Sequence, residues 1–360
     1  MRIITALLFV ILSCAPVDAT RAEAPPLKIG VILPLSGQAA NFGAISQRGI
    51  ELALEQLPIE DKGRVSVIVE DDGLVNARSV SAARKLIDID KVDALVTWSS
   101  STALSVVGLA ESHGIAHIAI ASDPEVARGK KYSFTYWALA EDEAQKLYDY
   151  LVARGTKRVS LVSLVHNGVL AVRDAFVALA RKDAKIEVVA DEEVVSGILD
   201  FRSILRRIKN KGPVDGFIPI FFPGQLAPIV RQSREVGITA PLYGFETFED
   251  ADEIKAAGGL FSGVVYSTGA DAQPAFIEAY LKRYPGASHY TANQTYDAIQ
   301  LLARASREGK DGSSIAAFLR DLKNYPTASG LITATGDNRF KLPTELKTID
   351  AAGVIKPFAG

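Results

Sequence analysis

The stretch VDALVTWSSSTALSVVGLAESHGIAHIAIASDPEV, Val92 to Val126, holds the pattern that decides the fold. An apolar run, VDALVTW (92–98), ends in three serines, Ser99, Ser100 and Ser101. A helix-like stretch, STALSVVGLAESHG (101–114), follows and stops at Gly114, where a helix C-cap belongs. A second apolar run, IAHIAIA (115–121), ends at Ser122 and turns through Asp123-Pro124. Strand, helix, strand is one βαβ unit. Both strands are continuously apolar rather than alternating, as expected when helices cover both faces of a parallel sheet.

The same alternation runs outward in both directions. Upstream, LKIGVIL (27–33) and RVSVIVE (64–70) read as strands, with helices over 41–57 and 76–89. Downstream, a second series starts near Asp142. Its strands are RVSLVSL (158–164), IEVVADE (186–192), VDGFIPIFF (214–222), APLYGFE (240–246) and SGVVYST (262–268). A helix over 142–155 precedes the first, and helices over 170–183, 201–212 and 224–237 separate the first four. Three more helical segments follow Gly269, then a short strand-like tail from Leu331. Two series of similar length predict an α/β protein of two doubly wound domains. No Pro-, Gly- or Ser-rich linker separates them, so the chain is expected to cross between them more than once.

The chain has 360 residues, 48% hydrophobic and 23% charged, with a formal net charge of −2. That balance offers no basic face to nucleic acid and no polybasic membrane patch. Met1-Arg2, the apolar run Ile3–Ser13 and an A-x-A site at Ala22-Glu23-Ala24 read as a secretory signal peptide over 1–24, with Val17-Asp18-Ala19 as a second cleavage candidate. Ile11-Leu12-Ser13-Cys14 also looks like a lipoprotein cleavage box, which leaves anchoring through Cys14 as the alternative to a soluble exported protein. Cys14 is the only cysteine, so a chain cleaved at Ala19 or Ala24 forms no disulfide and no thiolate metal site.

In open parallel sheets, ligands sit beyond the carboxyl ends of the strands, where helix N-termini attract anions. Ser99, Ser100 and Ser101 stand at such an end. One serine suffices to cap a helix; three also suit a cradle for a carboxylate. Ser122 ends the next strand. Alone it belongs to a turn; beside the serine run it completes a two-point clamp. The loop PLSGQAANFG (34–43) carries Phe42, a core residue or a pocket wall. In the second series Glu246 ends an apolar strand, as an N-cap, a solvated acid or a partner for an ammonium group. Phe222 beside it is core or pocket wall. The acids Glu70, Asp71 and Asp72 read as a solvated or helix-capping strand end. His113 and His117 are split by Gly114 and share no helix face, so no metal site is expected. No G-x-G-x-x-G, P-loop or G-x-S-x-G elbow is present, and no nucleophile stands beside a base. The sequence therefore predicts neither an enzyme nor a cofactor.

VILPLSGQAANFGAISQRGIELAL, with its strand, P-L-S-G, aromatic-Gly and G-x-x-L-A, resembles the opening of type I periplasmic solute-binding proteins of ABC importers. WSSSTALS, ASDPEV, VDGFIPIFFPGQLAPIVRQSREVG, YGFE and QTYDAIQLL fall in that family's order. The group it is most similar to is the leucine/isoleucine/valine-binding proteins, and the likeness covers nearly all of the mature chain. It implies two Rossmann-like lobes joined by a three-stranded hinge, 27–141 with 270–345 and 142–269 with 346–360. It implies that Ser99 and Ser122 hold a ligand α-carboxylate and Glu246 its α-ammonium. Phe42 and Phe222 would line the side-chain pocket, and Ala121 would give backbone contacts. It also implies a periplasmic monomer that captures a small, apolar amino acid and hands it to ABC permease subunits. Departures concern the side-chain pocket. Phe222 stands where tyrosine is usual, His166-Asn167-Gly168 where tyrosine-glycine is frequent, Ala119-Ile120 replaces a serine-proline type pair, and Trp98 occupies a position where some members have cysteine. An aromatic carboxylate or amide ligand stays open as the alternative, as does a sensing module in place of a transport component.

Overall fold

The computed structural model describes residues 26–37 and 39–358. The leader, Cys14 and both cleavage candidates lie outside the described residues.

The first sheet is built from β1 (Leu27–Leu33), β2 (Val65–Asp71), β3 (Ala94–Trp98), β4 (Ala116–Ile120) and β5 (Ser133–Thr135). Its order is β2-β1-β3-β4-β5, with every neighbour parallel. The connecting helices are α1 (Ala40–Glu55), α2 (Asn76–Arg84) and α3 (Ser100–His113). The chain then passes into α4 (Ala140–Ala153) and a second sheet. Its elements are β6 (Arg158–Leu164), α5 (Asn167–Asp183), β7 (Glu187–Val194), α6 (Arg202–Asn210), β8 (Gly216–Ile220), α7 (Leu226–Glu235), β9 (Tyr243–Phe245), α8 (Ala251–Ala257) and β10 (Val265–Gly269). Strands β7, β6 and β8 pair in parallel. A Phe217–Leu242 bridge brings in β9, which pairs parallel to β10. The spatial order 7-6-8-9-10 thus repeats 2-1-3-4-5. In such an order the strand sequence reverses direction between the first and third strands, and that switch point is where a crevice opens. Here it falls beyond β1/β3 in one sheet and β6/β8 in the other.

Three helices, α9 (Pro274–Arg283), α10 (Ala292–Ala305) and α11 (Gly312–Arg320), return to the first sheet. A small antiparallel sheet follows, made of β11 (Tyr325–Thr327), β12 (Gly330–Ala334) and β13 (Phe340–Lys341). The chain ends in β14 (Thr344–Ile349), antiparallel to β10, and β15 (Ile355–Pro357). Two separate cores result. One joins Leu27, Val31, Val96 and Ile118 to Leu302, Ile315 and Phe340. The other runs from Leu147 through Phe176, Phe217 and Ile229 to Val265 and Ile349. The chain passes between them before α4, after β10 and before β14. We propose lobe limits of 27–139 with 270–343 and 140–269 with 344–358. The last limit is earlier than the expected 345/346, because β14 is paired with β10 from Thr344 onward. Lys347 on β14, 2% exposed, is held at the crossing by Glu249 at 2.8 Å and by Asp271.

At the acidic end of β2, Glu70 and Asp71 keep partly solvated side chains, whereas Asp72 is neither solvated nor a simple cap. Asp72 is fully buried and accepts from Ser79 Oγ at 2.7 Å and Thr102 Oγ1 at 2.6 Å. Asp71 Oδ1 accepts from the Leu35, Ser36 and Gly73 N–H groups. These bonds tie the loop after β1 and the first turn of α3 to one strand end, so both cleft-facing segments share one support.

Candidate functional site

The strand ends of the two sheets face each other across a cavity lined by side chains of both lobes. Phe42, Trp98, Ser99, Ser100, Ala121 and Ser122 line it from the first lobe, and Glu246, Thr247 and Phe222 from the second. Seven of the eight residues proposed from sequence therefore meet at one cavity. Ser101 does not. Successive helix residues point about 100° apart, and Ser101 lies one step past Ser100 on α3. Its hydroxyl instead comes within 3.5 Å of Asn167 Oδ1, at the start of α5 in the facing lobe.

The serines have different jobs. Ser100 Oγ accepts the Asp123 N–H at 3.2 Å and so pins the turn after β4. The Ser99 N–H donates to Ile120 O at 2.9 Å, while its own Oγ is buried with no partner among the described residues. Ser99 holds φ +84° and ψ 143°, a conformation that suits glycine and strains a residue with a Cβ. The first turn of α5 closes over the neighbouring hydroxyls: a Cβ on Gly168 would stand 3.1 Å from Ser100 Oγ and 3.2 Å from Ser122 Oγ. Hydroxyls, a strand end and two helix N-termini from opposite lobes thus surround one point, which suits a carboxylate. Ser99→Gly is expected to raise the Tm of the free protein, by about 1 kcal/mol of relieved strain. It should also weaken ligand binding about tenfold through the lost hydroxyl. Thermal melts with and without the co-purified ligand check both signs.

Glu246 follows β9 directly and opens a short 3-10 turn. Its Oε2 is buried without a partner. Burial raises its pKa above the ordinary carboxylate value, opposed by hydrogen bonds from Glu143 and the Trp137 indole. Glu143, 1% exposed on α4, stands behind it. Burial, then the Glu246 charge beside it, pushes the Glu143 carboxyl well up. Two carboxyls this close in a dry site do not both ionise. Glu143 keeps the proton and donates; Glu246 keeps the charge and faces the cavity. A cation is the complementary ligand group.

Aromatic rings make the remaining wall. Phe42 stacks on Trp98, with centroids 5.4 Å apart and planes at 17°. Tyr290 sets its edge against Phe42 at 6.0 Å, and Trp137 meets Tyr290 at 6.2 Å. Phe222 lies 4.4 Å from the His166 ring. Trp137, Glu143, His166, Thr247 and Tyr290 were not proposed from sequence. Glu143 sits in the acidic first turn Glu141-Asp142-Glu143, which reads as ordinary helix-dipole compensation. Tyr290 lies between helices and ends no strand, so the strand-end rule does not find it. His166 and Thr247 do follow β6 and β9, and that rule applied to every strand would have found both.

Among the described residues, no group of three or more His, Cys, Asp or Glu side chains is placed to hold a metal. No helix among them is long and apolar enough to cross a membrane.

The comparisons with known proteins agree with this geometry. The family model described as periplasmic binding protein matches residues 26–352. The chain is 28% identical over 343 residues to Leu/Ile/Val-binding protein homolog 3 of Brucella melitensis, spanning 90% of this chain and 91% of that one. Among solved structures, LivJ of Streptococcus pneumoniae in complex with isoleucine superposes with a TM-score of 0.82 at 23% identity, over 92% of this chain and 98% of that one. A solute-binding protein of an R. palustris ABC transporter, in complex with benzoate, gives a TM-score of 0.79 at 21% identity, over 92% and 95%. At these identities the two structures show a shared fold. The family is extracytoplasmic and non-catalytic, and it works with ABC permease components. A periplasmic-type family model matched across nearly all of the described chain, two lobes of one strand order and a cavity between them lead to one conclusion: the protein belongs to the periplasmic binding proteins, as a type I solute-binding protein related to the Leu/Ile/Val-binding group.

Proposed function

We propose that this protein captures a small α-amino acid between its lobes and delivers it to an ABC permease. One observation carries the reading. Buried, unpartnered Ser99 Oγ and Glu246 Oε2 belong to side chains that line one cavity from opposite lobes. A zwitterion satisfies both, with its carboxylate at Ser99 and Ser122 and its ammonium at Glu246. Because each end needs a different lobe, the ligand favours the closed arrangement over the open one. Charge-assisted hydrogen bonds contribute about 1.5–3 kcal/mol each, and micromolar affinity needs about 8 kcal/mol. Several such bonds plus aromatic burial suffice.

The aromatic wall, with Phe42 stacked on Trp98, favours a second reading: a flat aromatic carboxylate. A thermal-shift panel separates the two. It pairs amino acids with their deaminated analogues, including L-leucine with 4-methylpentanoate and L-glutamine with glutaramate. The zwitterion reading expects the amino acid of an active pair to raise the Tm and its analogue to leave it unchanged. An analogue that stabilises as strongly as its amino acid favours the aromatic or simple carboxylate reading.

A further inference from the structure

We propose that the captured ligand carries a second hydrogen-bond acceptor, an oxygen on its side chain, held between the Trp98 indole N–H and the His166 Nε2–H. This inference rests on the zwitterion reading of the same cavity and adds the chemistry of its other end.

Both side chains line the cavity from opposite lobes, and both also line its adjoining mouth together with Phe42 and Phe222. They therefore share one end of the space. Trp98 ends β3 and is 9% exposed; its Nε1 has no partner among the described residues. An indole nitrogen can only donate. His166 stands at the start of α5, where its Nδ1 accepts the Gly168 N–H at 3.2 Å. Nδ1 therefore carries no proton, and the ring hydrogen of the neutral imidazole is on Nε2. Nε2 is buried and also has no partner. Burial holds the His166 pKa down at about 4, so the ring is an uncharged donor at neutral pH. Two dry N–H groups thus belong to side chains that flank one end of the cavity, each packed on an aromatic ring, Phe42 against Trp98 and Phe222 against His166.

An apolar ligand side chain placed there leaves both donors unsatisfied. A carbonyl or carboxylate oxygen satisfies both. Against the apolar amino acid that the resemblance implies, this inference favours an amino acid with an amide or acidic side chain. Neutral donors accept either form, and the comparison of the two is an arm of the test.

The experiment is calorimetric titration of the full mature chain with pairs of similar size: L-asparagine against L-leucine, and L-glutamine against L-methionine, with L-glutamate added. The better polar ligand is expected to bind at least about tenfold more tightly than its apolar counterpart. Glutamate tighter than glutamine assigns a carboxylate to the site; the reverse assigns an amide. Trp98→Phe and His166→Phe should each cut the polar preference several-fold, while His166→Gln, which keeps an N–H donor, should retain part of it. Apolar ligands that bind as tightly as their polar partners, in a protein where Glu246→Ala still weakens binding, overturn this inference and leave the zwitterion site standing. Binding of no amino acid in the panel overturns both.

Discussion

Glu246→Ala is expected to weaken binding of the native ligand by about thirtyfold or more while leaving the fold intact. Removing one partner of a buried charge pair costs about 2–5 kcal/mol, because the ammonium left behind is desolvated and unpaired. Glu246 is well placed for that effect. Its Oε2 has no protein partner, and its neighbour Glu143 is a proton-bearing carboxyl rather than a competing cation. Glu143→Gln is the internal control. The amide keeps a donor beside Glu246, so affinity at neutral pH should stay near that of the unmodified protein. If Glu143 were ionised, the same change would remove a charge and weaken the cation site. The pH dependence has a definite sign. Burial, the largest influence, raises the Glu246 pKa above 4.5. Ammonium binding needs the ionised form. As pH falls through the raised value, Glu246 takes up a proton, and affinity drops about tenfold for each further unit. The acid limb should therefore begin above the usual carboxylate range. Calorimetry across that range measures all three effects; an unchanged affinity in Glu246→Ala removes Glu246 from the ammonium role.

Gly49→Val is expected to destabilise the protein by about 3 kcal/mol or more, roughly 6–12 °C in Tm. Gly49 is buried on α1 where that helix lies along α10. A Cβ there would stand 2.2 Å from Ala292 O and 2.7 Å from Thr295 Oγ1. The first of these is backbone and cannot rotate away. Thr295 Oγ1 is also committed, its single O–H lying 3.0 Å from both the Ser46 and Ala292 carbonyl oxygens. Glycine costs a helix about 0.5–1 kcal/mol relative to alanine, so replacing it helps only where there is room. Gly108 on α3 supplies that contrast: nothing lies within 4 Å of its Cβ position. Gly108→Ala should be neutral or slightly stabilising. The Gly49 change should also reach the site, since Tyr290 and Thr291, immediately before α10, line the cavity. Thermal melts of the two variants, with ligand titration of any Gly49 variant that folds, check the argument.

The fold was legible because its signals are local. Continuous apolar runs such as Arg158–Leu164 coincide with strands, and Gly114 adopts φ +65° at the C-cap of α3. The G-x-x-L-A opening was legible as a pattern without its cause, which is the contact of Gly49 with α10. Strands β5 and β11 were not anticipated, and β12 and β13 were anticipated only as a strand-like tail from Leu331. They are two to five residues long, too short for periodicity to register, and pairing with neighbours holds them in place. At the site, residues ending strands could be located from sequence: Ser99, Ser122 and Glu246. Glu143 and Tyr290 could not, because tertiary packing brings a helix turn up behind Glu246 and a loop to the cavity. Ser101 lines only the adjoining mouth, for a simple reason. Three adjacent serines look alike in sequence, yet helix geometry turns each to a different direction.

The account depends most on one ligand bridging the lobes. A high-resolution structure of the protein purified with its native small molecule tests this directly. The account predicts a ligand nitrogen about 3 Å from a Glu246 carboxylate oxygen. It also predicts a ligand carboxylate hydrogen-bonded to Ser99 on the facing lobe. A molecule seated against one lobe alone, or one that presents no cationic nitrogen to Glu246, would contradict it.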